Sequence, residues 1–347
     1  MSMSSSEAGC LVLHELPDGF LDCAPDQLVN LLPHPTLIDL RGEDPQALFL
    51  STLLHGNEES GLKAVQLFLR RHLSQGLKRS LLLFIGNPRA ASQGRRTLPG
   101  DLDHNRIWPG GVVDDDPLVL MARFVYEYAQ KRRLFASIDI HNNTGFNPHY
   151  SCTAKLDARS IALAKLFSNI IVHFERPLGT HAAAFANLCP AMTVECGKAG
   201  ESSAVLHALS LIESCMSLTD LSPSLNESDE LFLLRTCAIV RLPHDASLSF
   251  DGRLADFMFR KDLDSLNFKE LAAGAHFGSI NNQSMRLEIL PGDGFDSTPA
   301  QYFDYAECQI RMIRSAIPAM LTLDPLAVKQ DCLCYFMHRI NLEGRLL

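Results

Sequence analysis

The first two-thirds of the chain alternates short apolar runs with stretches whose apolar positions recur every three to four residues. Residues 36–40 and 47–54 read as strands, the second apolar nearly throughout. Over residues 58–73, Leu62, Val65, Leu69 and Leu73 share one helical face. Residues 80–85 read as a strand, 117–132 as a helix and 134–140 as a strand. A helix over 157–168 starts with Asp157 as its cap. Strands at 170–174 and 191–195 and a helix at 202–218 complete the run. Strands that are apolar on both sides and alternate with helices predict an α/β fold. The expected form is a mixed, mostly parallel sheet covered by helices on both faces.

The pattern changes after Asp220-Leu221-Ser222-Pro223. Residues 231–241, 247–250, 275–280 and 286–290 read as strands separated by Gly, Pro and Asn turns, and helical spacing becomes scarce. Two domains are therefore expected, residues 1–220 and a smaller β-rich domain over 221–347. Between residues 87 and 116 lies a long stretch rich in Gly, Pro, Asp and Arg. Loops of such length are uncommon unless functional.

Four polar clusters punctuate the alternation, each just beyond the end of an expected strand. His55-Gly56-Asn57-Glu58 follows an apolar run and opens the next helix. A histidine and a carboxylate three residues apart can reach one metal ion across a strand-to-helix turn. Asp139-Ile140-His141-Asn142-Asn143 again runs an apolar strand into a histidine. Asp139 lies two residues back, placed to accept the second imidazole N–H of a ligating His141. Thr193-Val194-Glu195-Cys196-Gly197 delivers a carboxylate to a third strand end. A glutamate off the metal is what a metallohydrolase needs as a general base. The fourth cluster is the long loop, with Arg95-Arg96 and Asp101-Leu102-Asp103-His104-Asn105-Arg106. Its arginines suit a carboxylate clamp or oxyanion stabilisation, and Asp101 and His104 leave a second metal open. Trp108, the one tryptophan, reads as a packing anchor for this loop. Each cluster alone has a bland reading as a cap or a polar strand end. A parallel sheet, however, brings all of them to one edge, where ligands bind.

Composition narrows the partners. Net charge is −9, and no dense Lys/Arg stripe marks a nucleic-acid footprint. No apolar run approaches the roughly 18 residues of a membrane span. The serine-rich N-terminus lacks both the basic head and the apolar core of a signal peptide. Ten cysteines scattered in apolar runs, with no CxxC pair, suit a reducing compartment, so a cytoplasmic protein is expected.

Taken with their order and intervals, His55-Gly56-Asn57-Glu58, Asn105-Arg106, His141 and Glu195-x-Gly197 resemble the succinylglutamate desuccinylase/aspartoacylase family. That family falls among the carboxypeptidase A-like zinc hydrolases. The resemblance covers residues 35–220 and, loosely, a β-rich second domain through Asn267-Phe268. It implies one Zn2+ held by His55, Glu58 and His141, with Glu195 activating the attacking water. It also implies that Asn105 and Arg106 hold a substrate carboxylate and that Arg96 polarises the scissile carbonyl, Arg95 being the alternative.

Aspartoacylases carry an arginine ten residues before the catalytic glutamate. Here Phe185 stands at that position, within an apolar stretch, which argues against an acidic substrate side chain. His149 and Tyr150 are candidates to line the pocket instead, with a packed turn as the alternative, and Tyr150 is the expected substrate contact. The expected activity is hydrolysis of the amide in a small N-acyl amino acid. A metallocarboxypeptidase acting on a short peptide is the alternative within the same chemistry, and a non-catalytic metal-binding protein the alternative of another class. A homo-oligomer stays open.

Overall fold

The computed structural model describes residues 5–111, 115–221, 231–292 and 302–346. The serines up to Ser4 and the Ser222-Pro223 part of the boundary segment lie outside the described residues. In chain order the first part contains β1 (Ser5–Glu7), β2 (Cys10–Leu13), α1 (Leu28–Leu31), β3 (Thr36–Leu40), β4 (Asp44–Thr52) and α2 (Ser60–His72). It continues with β5 (Arg79–Ile85), α3 (Pro88–Ala91), α4 (Pro117–Gln130), β6 (Leu134–Asn143), β7 (Tyr150–Thr153) and α5 (Ala158–Lys165). Then come β8 (Ile170–His173), α6 (His181–Phe185), β9 (Ala191–Lys198) and α7 (Ser202–Ser217).

Among the described residues the chain forms two compact units. Those within Met1–Asn142, His149–Ile171 and Pro177–Leu231 make the first; those within Asn143–Pro148, Val172–Arg176 and Phe232–Leu347 make the second. The first is a mixed sheet whose strands run in the order β1-β2-β3-β5-β4-β6-β9-β7. Its centre is parallel: β4 pairs in parallel with both β5 and β6. β3 runs antiparallel to β5, and β7 antiparallel to β9.

β4 shows why the layers form. Ala47 and Phe49 pack with Leu82 and Phe84 of β5 and with Val119, Ala122 and Val125 of α4. The alternate residues Leu48 and Leu50 are equally buried on the opposite face, as a period of two requires. α2 presents Leu62, Val65 and Leu69 as one buried stripe and packs on α7. At roughly 25 cal/mol per Å2 of apolar surface, such two-sided burial is the main force holding this sheet.

The second unit is built of β10 (Phe232–Arg241), β11 (Leu248–Ser249), β12 (Phe257–Phe259), β13 (His276–Ile280) and β14 (Glu288–Pro291). β15 (Phe303–Asp304), β16 (Gln309–Met312), β17 (Ile317–Ala319), α8 (Pro325–Gln330) and β18 (Cys334–Arg339) follow. β10 pairs with β14 and β18, and a five-stranded sheet runs β11-β12-β13-β16-β15. Phe257, Phe277, Tyr302 and Phe336 lie in its core. The expected α/β class with a β-rich C-terminal part is the observed one. β7 and the short strands β15 to β17 were not expected, because runs of two to four residues give too little periodicity to read.

Candidate metal centre

β4 ends at Thr52, and the chain turns sharply at Leu53, a buried non-glycine residue with φ of 54°. Gly56 is required by proximity. A Cβ there would lie 2.2 Å from the Ala91 nitrogen and 2.3 Å from the Ala90 carbonyl carbon of α3. Its N–H donates to the Arg96 carbonyl at 3.1 Å. The turn is thus clasped between α3 and the long loop, and it delivers His55 and Glu58 buried.

β6 runs on beyond the expected end at Ile140 and carries His141 and Asn142 as strand residues. Asn142 secures the extension: its backbone N–H donates to Glu58 Oε2 at 3.1 Å. Its side chain donates to the Gly197 carbonyl and accepts from the Ser60 N–H.

These elements bring His55, Glu58 and His141 together. His55 Nδ1 is 2.9 Å from Glu58 Oε1, His141 Nδ1 is 2.7 Å from Glu58 Oε2, and the two Nδ1 atoms are 3.1 Å apart. All three ligand atoms lie within 4.8 Å of one another, the single such group among the described residues. Each imidazole turns its other nitrogen to a carboxylate. Asp139 Oδ2 is 2.6 Å from His141 Nε2, and Asp103 Oδ1 is 3.0 Å from His55 Nε2. That arrangement keeps the proton on Nε2 and leaves both Nδ1 lone pairs for a metal. Two imidazoles and one carboxylate are a donor set that zinc accepts. The residues present therefore fit a metal ion.

The electrostatics are those of a cation site. Burial opposes charge on His141, but Asp139 and Glu58 outweigh it and hold the imidazole well above its ordinary pKa. Burial also works against ionised Glu58, yet the two histidines depress it far below the carboxylate range. Burial would raise Asp103, and His55 and Arg96 overcome it.

β9 carries Glu195 with Oε2 buried and without a hydrogen-bond partner among the described residues. Burial pushes its carboxyl up to about 7, with His141 pulling it down and Glu58 pushing it up. Tyr150 stands directly opposite in the β7–β9 ladder, on the same face, and is 3 % exposed. His149 stacks on His207 of α7, its Nδ1 2.6 Å from that of His207.

In the loop, Arg96 donates to Asp103 Oδ2 at 2.9 Å and lies 3.8 Å from Glu58; Arg95 is exposed. Asn105 is buried, with Nδ2 3.4 Å from His141 Nε2. Arg106 donates to the Asn105 carbonyl. Trp108 is wholly buried, and its indole N–H donates to the His104 carbonyl. His104 faces Asn87, is lowered to about 4 by burial and then by His55, and is not in the metal group. Phe185 is also fully buried, packed on Phe49, Trp108 and His181.

The catalytic-domain model of succinylglutamate desuccinylase and aspartoacylase matches residues 44–211, the stretch holding every residue of this site. Over that stretch, just under half of its length, the chain is similar to the succinylglutamate desuccinylase/aspartoacylase family. Members of this family are hydrolases of amide bonds. Succinylglutamate desuccinylase from Vibrio parahaemolyticus shares the fold with a TM-score of 0.60 and 15 % identity, covering 90 % of this chain and 89 % of that one. Murine aminoacylase 3 does so at 0.56 and 14 %, covering 86 % and 96 %. An ectoine utilization protein from Ruegeria pomeroyi gives 0.57 and 14 %, with 88 % of each chain covered. No curated protein sequence matches the chain.

Asp103 and Asn142 escaped the sequence reading as site residues. Asp103 offered one signal, an acidic residue between Arg96 and Asn105 in the long polar loop. Asn142 offered its place beside His141.

Proposed function

We propose that this protein is a zinc-dependent hydrolase of the amide bond in an N-acyl amino acid. The observation that carries the reading is the buried His55-Glu58-His141 group backed by Asp103 and Asp139, with Glu195 in its field and its Oε2 unpartnered among the described residues. Glu195 is the general base. It takes a proton from the attacking water and delivers it to the leaving nitrogen. A zinc ion, when bound, supplies a Lewis acid and lowers the pKa of water toward about 7. Arg96, anchored by Asp103, donates to the carbonyl oxygen as negative charge builds there. Asn105 and Arg106 take the substrate carboxylate, and Tyr150 flanks the reacting centre beside Glu195.

On this reading residues 1–220 are the catalytic domain and 221–347 a second one. Ten cysteines, none in a disulfide, support a reducing, cytoplasmic setting. No helix among the described residues is long and apolar enough to cross a membrane.

The test is a hydrolysis screen of zinc-loaded protein against N-acetyl, N-succinyl and N-formyl amino acids and dipeptides, with E195Q as blank. Release of an amino acid from an N-acyl substrate is expected. Cleavage of dipeptides alone would transfer the protein to the carboxypeptidases. Silence with zinc bound would make it a non-catalytic metal-binding protein.

A further inference from the structure

A buried backbone N–H sets the orientation of Asn105. His181 is the first residue of α6, whose cap Thr180 accepts from the Ala183 N–H. The first N–H groups of a helix have no partner within it. That of His181 donates to Asn105 Oδ1 at 2.9 Å.

A carboxamide has an accepting and a donating end, and its partners decide which way it points. Because the His181 N–H must meet the oxygen, Asn105 Nδ2 is turned toward the metal group, 3.4 Å from His141 Nε2. That nitrogen holds its proton against Asp139 Oδ2, 2.6 Å away, so it has no lone pair to offer. No other acceptor for Asn105 Nδ2 is found among the described residues. Its N–H groups are therefore presented to whatever anionic oxygen enters the site.

The anchor itself is rigid. The His181 ring stacks on Phe185 at 4.3 Å and Phe49 at 5.4 Å and meets Trp108 edge-on at 5.1 Å. Its Nε2 is 3.1 Å from Ser137 Oγ, two residues before Asp139 on β6. The ring is lowered to about 4 by burial, so it brings no charge to the site at neutral pH.

We propose that His181 is the positioning residue for Asn105: its backbone N–H fixes the carboxamide so that Nδ2 binds the substrate carboxylate. This rests on the reading of Asn105 as part of the carboxylate clamp.

Position 181 allows a clean test, because proline is tolerated at the first position of a helix. Thr180, at φ −79° and ψ 151°, already has the conformation a following proline requires. H181A removes the ring and keeps the N–H; H181P removes both. The probe is N-acetylglycine, bound to zinc-loaded E195Q protein and followed by calorimetry, with zinc content and melting temperature recorded for each variant. H181A is expected to change Kd less than about threefold. H181P should raise it tenfold or more, about 1.4 kcal/mol, with zinc retained. N105A should raise Kd equally, and H181P added to N105A should add nothing. If H181P does not fold, an ester in place of the residue-181 amide deletes the same N–H and carries the same expectation. Equal Kd for H181A and H181P, a weakening that persists in N105A, or no binding to the parent protein would overturn the proposal. Binding in the expected pattern without hydrolysis by wild-type protein would sink the functional reading alone.

Discussion

Asp103 joins His55 to Arg96 through the two oxygens of one carboxylate: Oδ1 faces His55 Nε2 at 3.0 Å and Oδ2 accepts from Arg96 at 2.9 Å. One residue thus orients a proposed metal ligand and an arginine that approaches Glu58. Asp103→Ala should therefore weaken zinc binding by about 10- to 100-fold and also lower kcat in protein kept saturated with zinc. Chelator competition and steady-state kinetics at high zinc separate the two losses. Full recovery of kcat by added zinc would remove Arg96 from the role that Asp103 supports.

Asp139 touches the metal group on one side only, through His141. Asp139→Asn should lower zinc affinity by an order of magnitude or more, and excess zinc should restore kcat. Wild-type affinity in a chelator competition would mean that Asp139 does not set the His141 tautomer.

The titration of the site gives a signed expectation. In metal-free protein His141 is held well above its ordinary value of 6.5, mainly by Asp139 and Glu58 working against burial. A group whose pKa is raised on folding lends stability below its unfolded value and loses it as pH climbs through the folded one. Glu195, raised by burial from 4.5 to about 7, acts in the same direction over a lower window. Below about 6.5 the lowered His104 and His181 work in the opposite sense, so the net loss of stability in metal-free protein is expected as pH rises from about 7 upward, where His141 titrates. Zinc must displace the His141 Nδ1 proton, so its affinity should increase over that range. The rise in melting temperature on adding zinc should widen with pH. Calorimetry in buffers of differing ionisation enthalpy should register proton release. A zinc-induced shift that is flat with pH would show that His141 is not protonated before the metal arrives.

Much of this candidate site was legible in the sequence because its proposed ligands stand where apolar periodicity stops. The strands leading to His55, His141 and Glu195 are marked by largely apolar runs, and the parallel pairing of β4 with β6 aligns the ends that carry His55 and His141. What stayed hidden depends on tertiary approach. Asp103 lies in a loop without periodicity, 48 residues from His55. His181 contributes a main-chain N–H, which no side-chain pattern reports. β7 is four residues long, yet it places Tyr150 against Glu195. Nor does any composition change mark Asn143–Pro148 and Val172–Arg176 as parts of the second unit.

Gly56 offers a backbone test of the same geometry. A Cβ at this position meets main-chain atoms of Ala90 and Ala91, which cannot swing aside as a side chain would. Gly56→Ala should destabilise the protein by about 1–3 kcal/mol and displace His55, lowering zinc occupancy. Thermal melts with metal analysis check both. A variant with wild-type melting temperature and full zinc would mean that α3 yields freely to the added methyl.

The central claim is that Glu195 moves the proton while His55, Glu58 and His141 hold the metal. The most direct measurement is Glu195→Gln assayed together for bound zinc and for hydrolysis of the best N-acyl substrate. Zinc near one equivalent, with turnover reduced by about 100-fold or more, is the expected result. Substantial turnover with zinc in place would contradict the general-base assignment, and loss of zinc would place Glu195 among the ligands instead.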